Sequence, residues 1–136
     1  MRIVVDTNVL ISGTFWAGKP KQLLNLIRRG EVTFLTSNAL MDELREVLMR
    51  ENKPFRLSAE EADRVVGQIQ IFAETIQVHS CVAACTDERD NRVLECAIDG
   101  GADYIISGDG HLLDLEFFKE VKIIAVNDFL SGFCGT

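Results

Sequence analysis

Two short aliphatic runs in this chain each lead directly into an acid. Ile3-Val4-Val5 is followed by Asp6, and Tyr104-Ile105-Ile106 is followed by Ser107-Gly108-Asp109. A strand that is apolar at every position, instead of at alternate ones, is buried on both faces and needs a covering layer on each side. The rest of the chain supplies the covers. Lys21 to Arg29 reads as a helix with Leu23, Leu24 and Ile27 on one face and Gly30 after it. Val32 to Leu35 reads as a strand, and Thr36-Ser37-Asn38 offers capping residues for the next element. Leu40, Met41, Leu44, Val47 and Leu48 then recur at amphipathic-helix spacing until Asn52-Lys53-Pro54 stops the pattern. Ser58 to Glu61 matches a capping box and opens a helix expected to run to about Glu74, with a strand from Thr75 to His79. Asn91 to Asp99 reads as a helix closed by Gly100-Gly101. Asp103 to Ser107 and Val121 to Val126 read as strands, and Asn127 to Leu130 as a final helical turn. Strands alternating with helices predict an α/β fold: three layers, α/β/α, around a mostly parallel sheet of about five strands. One domain over residues 1–136 is expected from the length.

In such sheets ligands gather beyond the carboxyl ends of the strands. Asp6 and Asp109 follow two strands there. Glu43 lies on the amphipathic helix at the border of its apolar stripe. Asp87 and Asp90 precede the next helix, where free backbone amides can position an acid. Each of these residues alone has an ordinary reading as a turn, a cap or a solvated helix position. An acid at the end of each of two buried strands is harder to treat as coincidence. Carboxylates that converge without a cation repel one another, and some then hold protons. A hard divalent cation with oxygen ligands relieves this, so Mg²⁺ or Mn²⁺ suits the set better than zinc. One ion fits these residues, as do two ions about 3.5–4 Å apart of the kind that serve in-line attack on phosphate.

The charge balance argues neither for nor against such a substrate. Against 14 Lys and Arg stand 21 Asp and Glu, a net charge of −7. That excludes nucleic-acid binding through bulk charge and leaves a local basic rim as the means. The four cysteines, Cys81, Cys85, Cys96 and Cys134, match no common zinc spacing and are expected to be reduced and mostly buried. The apolar run at the start is too short for a signal peptide and no stretch suits a membrane span, so the expectation is a cytoplasmic protein.

At these residues the chain resembles a known family. Val4-Val5-Asp6-Thr7-Asn8-Val9-Leu10 is similar to the opening of a PIN domain, the nuclease module of VapC-type toxins. Asp42-Glu43-Leu44 matches the family's Glu on the helix after the second strand. Arg89-Asp90-Asn91 matches its helix-opening acid, and Ile106-Ser107-Gly108-Asp109 its acid after a later strand. The segment Ile123 to Leu130 is similar to the last strand and helix. The resemblance implies that Asp6, Glu43, Asp90 and Asp109 bind metal and carry catalysis. It makes Asp87 an outer candidate and gives Thr7, Asn8 and Ser107 supporting hydrogen bonds. Gly110-His111 departs from the charged pair that many relatives carry, and His111 is taken as part of a helix start or loop.

The resemblance further implies hydrolysis of RNA with Mg²⁺ or Mn²⁺, no Ser, Cys or His nucleophile, homodimers, and an inhibitory antitoxin protein. Basic candidates for phosphate contact are Lys19, Lys21, Arg28 and Arg29 after the first strand, and Arg45, Arg50, Lys53 and Arg56 around the second helix. Phe15-Trp16, read as a loop pair flanked by Gly13 and Gly18, is assigned to core packing or a dimer contact, with base stacking as the other use. Ile69, Ile71 and Phe72 are assigned either to covering the sheet or to a second subunit. The competing reading is a non-catalytic RNA-binding or interaction module with the same fold. A phosphoacceptor domain lacks its lysine at Val126-Asn127-Asp128. A dinucleotide-binding domain lacks its glycines at Asp6-Thr7-Asn8, and a haloacid-type phosphatase has Asn8 where it needs a second aspartate.

Overall fold

A computed structural model of the chain describes residues 1–50 and 56–134. The elements are β1 (Arg2–Val5), α1 (Thr7–Phe15), α2 (Lys19–Arg28), β2 (Thr33–Thr36), α3 (Asn38–Leu48), α4 (Ala59–Gln70), β3 (Ala73–Thr75), α5 (Glu88–Gly100), β4 (Tyr104–Ile106), α6 (Gly110–Leu115), β5 (Phe117–Phe118), β6 (Val121–Ile124) and α7 (Val126–Cys134). Among the described residues six strands form one sheet, in the order β3-β2-β1-β4-β6-β5. β1 pairs in parallel with β2 and β4, β2 with β3, and β4 with β6. β5 alone is antiparallel, against β6. The five parallel strands match the expected number. The sixth, two residues long, is too short to leave a periodic signature.

The apolar runs are explained by the two cores. Ile3, Val5, Phe34 and Ile106 face one layer, with Leu10, Leu23, Leu44, Ala62 and Phe129 from α1, α2, α3, α4 and α7. Val4, Leu35, Ile105 and Ile123 face the other, with Leu94 and Ala97 of α5 and Leu112 of α6. Successive residues of β1 therefore point to opposite faces, and both faces are dry. A leucine as fully buried as Leu23, Leu44 or Leu94 contributes roughly 1.5–3 kcal/mol by leaving water.

Four expectations need correction. The helix opened by Ser58 does carry the full capping box, Ser58 to Glu61, but it ends at Gln70 and not near Glu74. The strand after it is Ala73–Thr75, earlier than Thr75 to His79. The cause is tertiary: Ala73, Glu74 and Thr75 pair with Phe34, Leu35 and Thr36, and the Arg2 guanidinium donates to both Glu74 oxygens at 3.3 and 2.7 Å. That ladder overrides the local helix preference of Phe72-Ala73-Glu74. Second, residues 7–15 form a helix, so Phe15 closes α1 and does not lie in a loop. α1 mixes Thr, Asn, Ser and Gly with its apolar residues and shows no strong amphipathic stripe to read. Third, the thiols whose side chains are described are not mostly buried; the side chain of Cys134 lies outside the described residues. Cys96 is buried and pushed up to about 12 by that burial, whereas Cys85 is half-buried and Cys81 exposed. The stop at Asn52-Lys53-Pro54 lies outside the described residues. Fourth, the final helical turn expected from Asn127 to Leu130 is instead the nine-residue helix Val126–Cys134, and the strand before it ends at Ile124; the ends of the other expected elements fall within a few residues of expectation.

Residues 76–87, between β3 and α5, have no regular structure. They are strapped to α5 by three of its side chains spaced four apart. Asn91 accepts from the Cys85 amide (2.8 Å) and donates to the Cys85 carbonyl (3.0 Å). Glu95 accepts from the Val82 amide (2.9 Å). Asp99 accepts from the His79 amide (2.5 Å) and from the Ser80 amide (2.7 Å) and hydroxyl.

Candidate active site

The parallel strands all end on the same edge of the sheet, and the acids collect there. Asp6 follows β1 and precedes α1; Asp109 follows β4 and caps α6, accepting from the His111 amide at 2.7 Å. Glu43 projects from α3. Asp90 sits in the first turn of α5, behind the cap Asp87, which accepts from the Arg89 amide at 2.9 Å. Asp6, Glu43, Asp87, Asp90 and Asp109 line one cleft of about 200 Å³, together with Thr7, Asn8, Arg50 and Arg89. Ser107 ties two of the acids: its hydroxyl donates to Asp6 (2.8 Å) and accepts from the Asp109 amide (2.9 Å). The Thr7 hydroxyl donates to Glu43 at 3.2 Å.

The electrostatics follow from this crowding. Asp6 and Asp90 are only 8% and 6% exposed. Burial raises the Asp6 carboxyl above its ordinary value, against the Ser107 hydroxyl, and the Asp109 charge adds to the rise. Burial, then the Asp6 charge, raises Glu43, and the Thr7 hydroxyl opposes this. Asp90 is pushed up to about 6, by burial first and then by the charge and the shared hydrogen bond of Asp109. Asp87 moves the other way, held down by the Arg89 amide and guanidinium. Burial is the first cause of all three rises, and the neighbouring carboxylate charges add to it.

Oxygen donors throughout and an excess of negative charge fit a hard divalent cation in kind. Among the described residues no three Asp, Glu, His or Cys side chains stand where they could hold one ion as they are. Three of the four acids are engaged elsewhere, Glu43 with Thr7 and with Arg89 at 3.7 Å, Asp6 with Ser107, Asp109 with its own helix.

The basic candidates are dispersed. Lys19 lines the cavity next to the acids, beside Asn8 and Asp109. Lys21 is exposed on α2. Arg45 turns to Asp63 of α4 at 2.5 Å and lines neither cavity. Arg50 lines the acid cleft, and Lys53 lies outside the described residues. Trp16 is half exposed, its ring edge against Phe15 at 6.1 Å between centroids. Ile69 is buried, whereas Ile71 is 77% exposed. Arg89 was not anticipated: it stands in the cleft between Glu43 (3.7 Å) and Asp87 (3.3 Å). Its one sequence signal was a cation flanked by the acids of Asp87-Glu88-Arg89-Asp90.

Comparison with known proteins agrees with this architecture. The family profile described as PIN domain matches residues 2–111. No curated protein matches the sequence significantly. A chain of the Rickettsia felis VapBC2 structure, solved bound to a DNA fragment from their promoter, superposes with a TM-score of 0.64 at 12% identity, over 92% of this chain and 98% of that one. The T. brucei RRP44 PIN domain superposes with a TM-score of 0.50 at 14% identity, over 98% of this chain and 80% of that one. At such identities the likeness is one of fold. Among the described residues no helix is long and apolar enough to cross a membrane.

Proposed function

This chain belongs to the PIN domain family, and from that premise we propose that it is a metal-dependent endoribonuclease, acting in the cytoplasm as the toxin of a toxin–antitoxin pair. PIN domains are in general nucleases. The observation that carries the reading is the convergence of Asp6, Glu43, Asp90 and Asp109 in one cleft at the carboxyl edge of the sheet. These four are the residues that would hold Mg²⁺ or Mn²⁺. Bound there, the metal supplies a Lewis acid for the phosphate and a lowered pKa for an attacking water. The chain supplies the rest. Ser107 fixes the orientation of Asp6 while bracing the turn that carries Asp109. Thr7 aims Glu43. Asp87 caps α5 and so sets the first turn on which Asp90 stands. Arg89 and Arg50 border the cleft and offer guanidinium donors to a phosphate backbone, a contact suited to their planar geometry. No side-chain nucleophile is needed. Toxin pairing and an antitoxin partner draw on the fold shared with the VapBC2 chain, and a homodimer remains part of the same proposal.

A second reading, a non-catalytic RNA-binding or interaction module, is favoured by one observation: the carboxylates do not stand at coordinating positions as they are. Incubation of a mixed RNA pool with Mg²⁺ or Mn²⁺, with EDTA and Asp6→Asn controls, separates the two. Cleavage abolished by both controls is expected. Cleavage that survives Asp6→Asn removes the proposed site. No cleavage together with no Mn²⁺ binding by calorimetry establishes the second reading.

A further inference from the structure

Beside the acid cleft lies a second, larger cavity of about 430 Å³, within the roughly 300–1,000 Å³ range of small-ligand pockets. It is bounded by α1, the first turn of α2, the turn after β4, and the start of α7. The two hollows share Asn8 and Asp109 as a common ridge. Their chemistry differs. The acid cleft is lined almost wholly by polar and charged groups. The neighbour has an apolar floor from Val9, Pro20 and Val126, carboxamides at its rim from Asn8 and Asn127, and a single cation, Lys19.

We propose that this cavity is a nucleotide subsite, seating one ribonucleotide of a single strand next to the bond to be cut. The proposal rests on the nuclease reading of the acid cleft and adds where the substrate lies. A nucleotide has three parts with three demands: an apolar base face, a base edge of mixed donors and acceptors, and a phosphate charge. The floor meets the first. The Asn8 and Asn127 carboxamides, each both donor and acceptor, meet the second. Lys19 meets the third, as a point charge without base preference. Lys19 on one side of the acids and Arg50 and Arg89 on the other mark a backbone path that crosses the ridge. An acidic protein thereby holds a polyanion through a narrow line of cations. The prediction for substrate is unpaired RNA, whose bases are free to turn into a pocket.

The test uses the full chain in EDTA, titrated with each of the four ribonucleoside monophosphates and with inorganic phosphate, read by amide chemical shifts. Shifts at Asn8, Lys19 and Asn127 are expected with nucleotides, and with phosphate only near Lys19. Asn127→Ala and Lys19→Ala change exposed side chains and should each weaken nucleotide binding about fivefold to tenfold. In the cleavage assay Asn127→Ala should flatten the base preference at one position beside the cut and leave the others. Absence of nucleotide shifts at this cavity, or an unchanged preference and affinity in Asn127→Ala, overturns the subsite even if RNA is cleaved. Nucleotide binding here by a chain that neither cleaves RNA nor binds Mn²⁺ supports the nucleotide pocket and removes the nuclease reading instead.

Discussion

Asp90→Asn should make the metal-free protein more stable while removing its activity. In the native state the Asp90 carboxyl is pushed up from 3.8 to about 6. Ionising it near pH 7 therefore costs the fold about 2 pH units, or ~3 kcal/mol, relative to the unfolded chain. The sign is fixed by the direction of the shift. A raised native pKa adds stability that is complete below the unfolded value and is lost as pH rises through about 6. Asparagine has the same shape, cannot ionise, and can still donate to Asp109. Because the proton is shared with Asp109, part of the gain passes to that partner, and ~2–3 kcal/mol is expected at neutral pH. For a chain of this length that is roughly 6–15 °C in Tm. Thermal unfolding in EDTA of wild type and variant, near neutrality and at about pH 4.5, reads the effect. The gap should be large at the higher pH and shrink to about a third of that at the lower. Adding Mn²⁺ should then raise the wild-type Tm, by up to ~2.7 kcal/mol at a hundredfold excess over Kd, and barely move the variant. A variant less stable than wild type at neutral pH, or a gap independent of pH, refutes the argument.

Other expectations follow from packing. A Cβ on Gly13 would stand 2.7 Å from the Pro20 carbonyl oxygen and 2.8 Å from Leu24 Cδ1, whereas one on Gly67 meets nothing within 4 Å. Denaturant midpoints should therefore move in opposite directions: Gly13→Ala down by ~1–3 kcal/mol from the clash, Gly67→Ala up by ~0.5–1 kcal/mol from helix preference. Glu95→Ala leaves the Val82 amide without its acceptor and the Arg92 guanidinium without its 2.9 Å partner. It should cost ~1–3 kcal/mol and speed limited proteolysis within residues 76–87. Arg2→Ala removes donors to the Gly100 carbonyl (3.0 and 2.8 Å) and to Glu74. A loss of ~0.5–1.5 kcal/mol is expected, with faster amide exchange concentrated in the β3 edge strand.

What could be read from the sequence was what repeats or what ends abruptly. The strands at Ile3 to Val5 and at Tyr104 to Ile106 announced themselves because both faces are buried and every position is apolar. α3 was visible in its stripe, and α4 in its cap. α1 was hidden because its small polar residues and its apolar ones do not separate into a clear stripe, and Gly13 within it looked like a loop residue. Only the structure shows that Gly13 is there to let α2 approach. The end of α4 was misjudged because Ala73 to Thr75 is held by β2 and Arg2, partners far away in sequence. The acids could be nominated from strand ends and helix starts, but the Ser107 bridge depends on two strands lying side by side, and the place of Arg89 depends on α3 meeting α5. The resemblance nominated Ser107 as a support without its partners, and the acids around Arg89 mark the residue but not its place.

The strap's hydrogen bonds to α5 are made almost entirely by its own backbone. Asn91, Glu95 and Asp99 bind amides and a carbonyl at residues 79, 80, 82 and 85, and only Ser80 contributes a side chain. Such a grip recognises the path of the chain and ignores its lettering. Between β3 and α5 substitutions should thus be tolerated at the exposed positions, but not at Ile76, Val82 and Cys85, which pack on the core, nor at the α5 cap Asp87, nor as proline at 79, 80, 82 or 85, because it has no N–H to offer. The tolerance would stop at the helix, where the three holders are not interchangeable. Homologous chains would then be expected to drift in the strap and stay fixed every fourth residue beneath it.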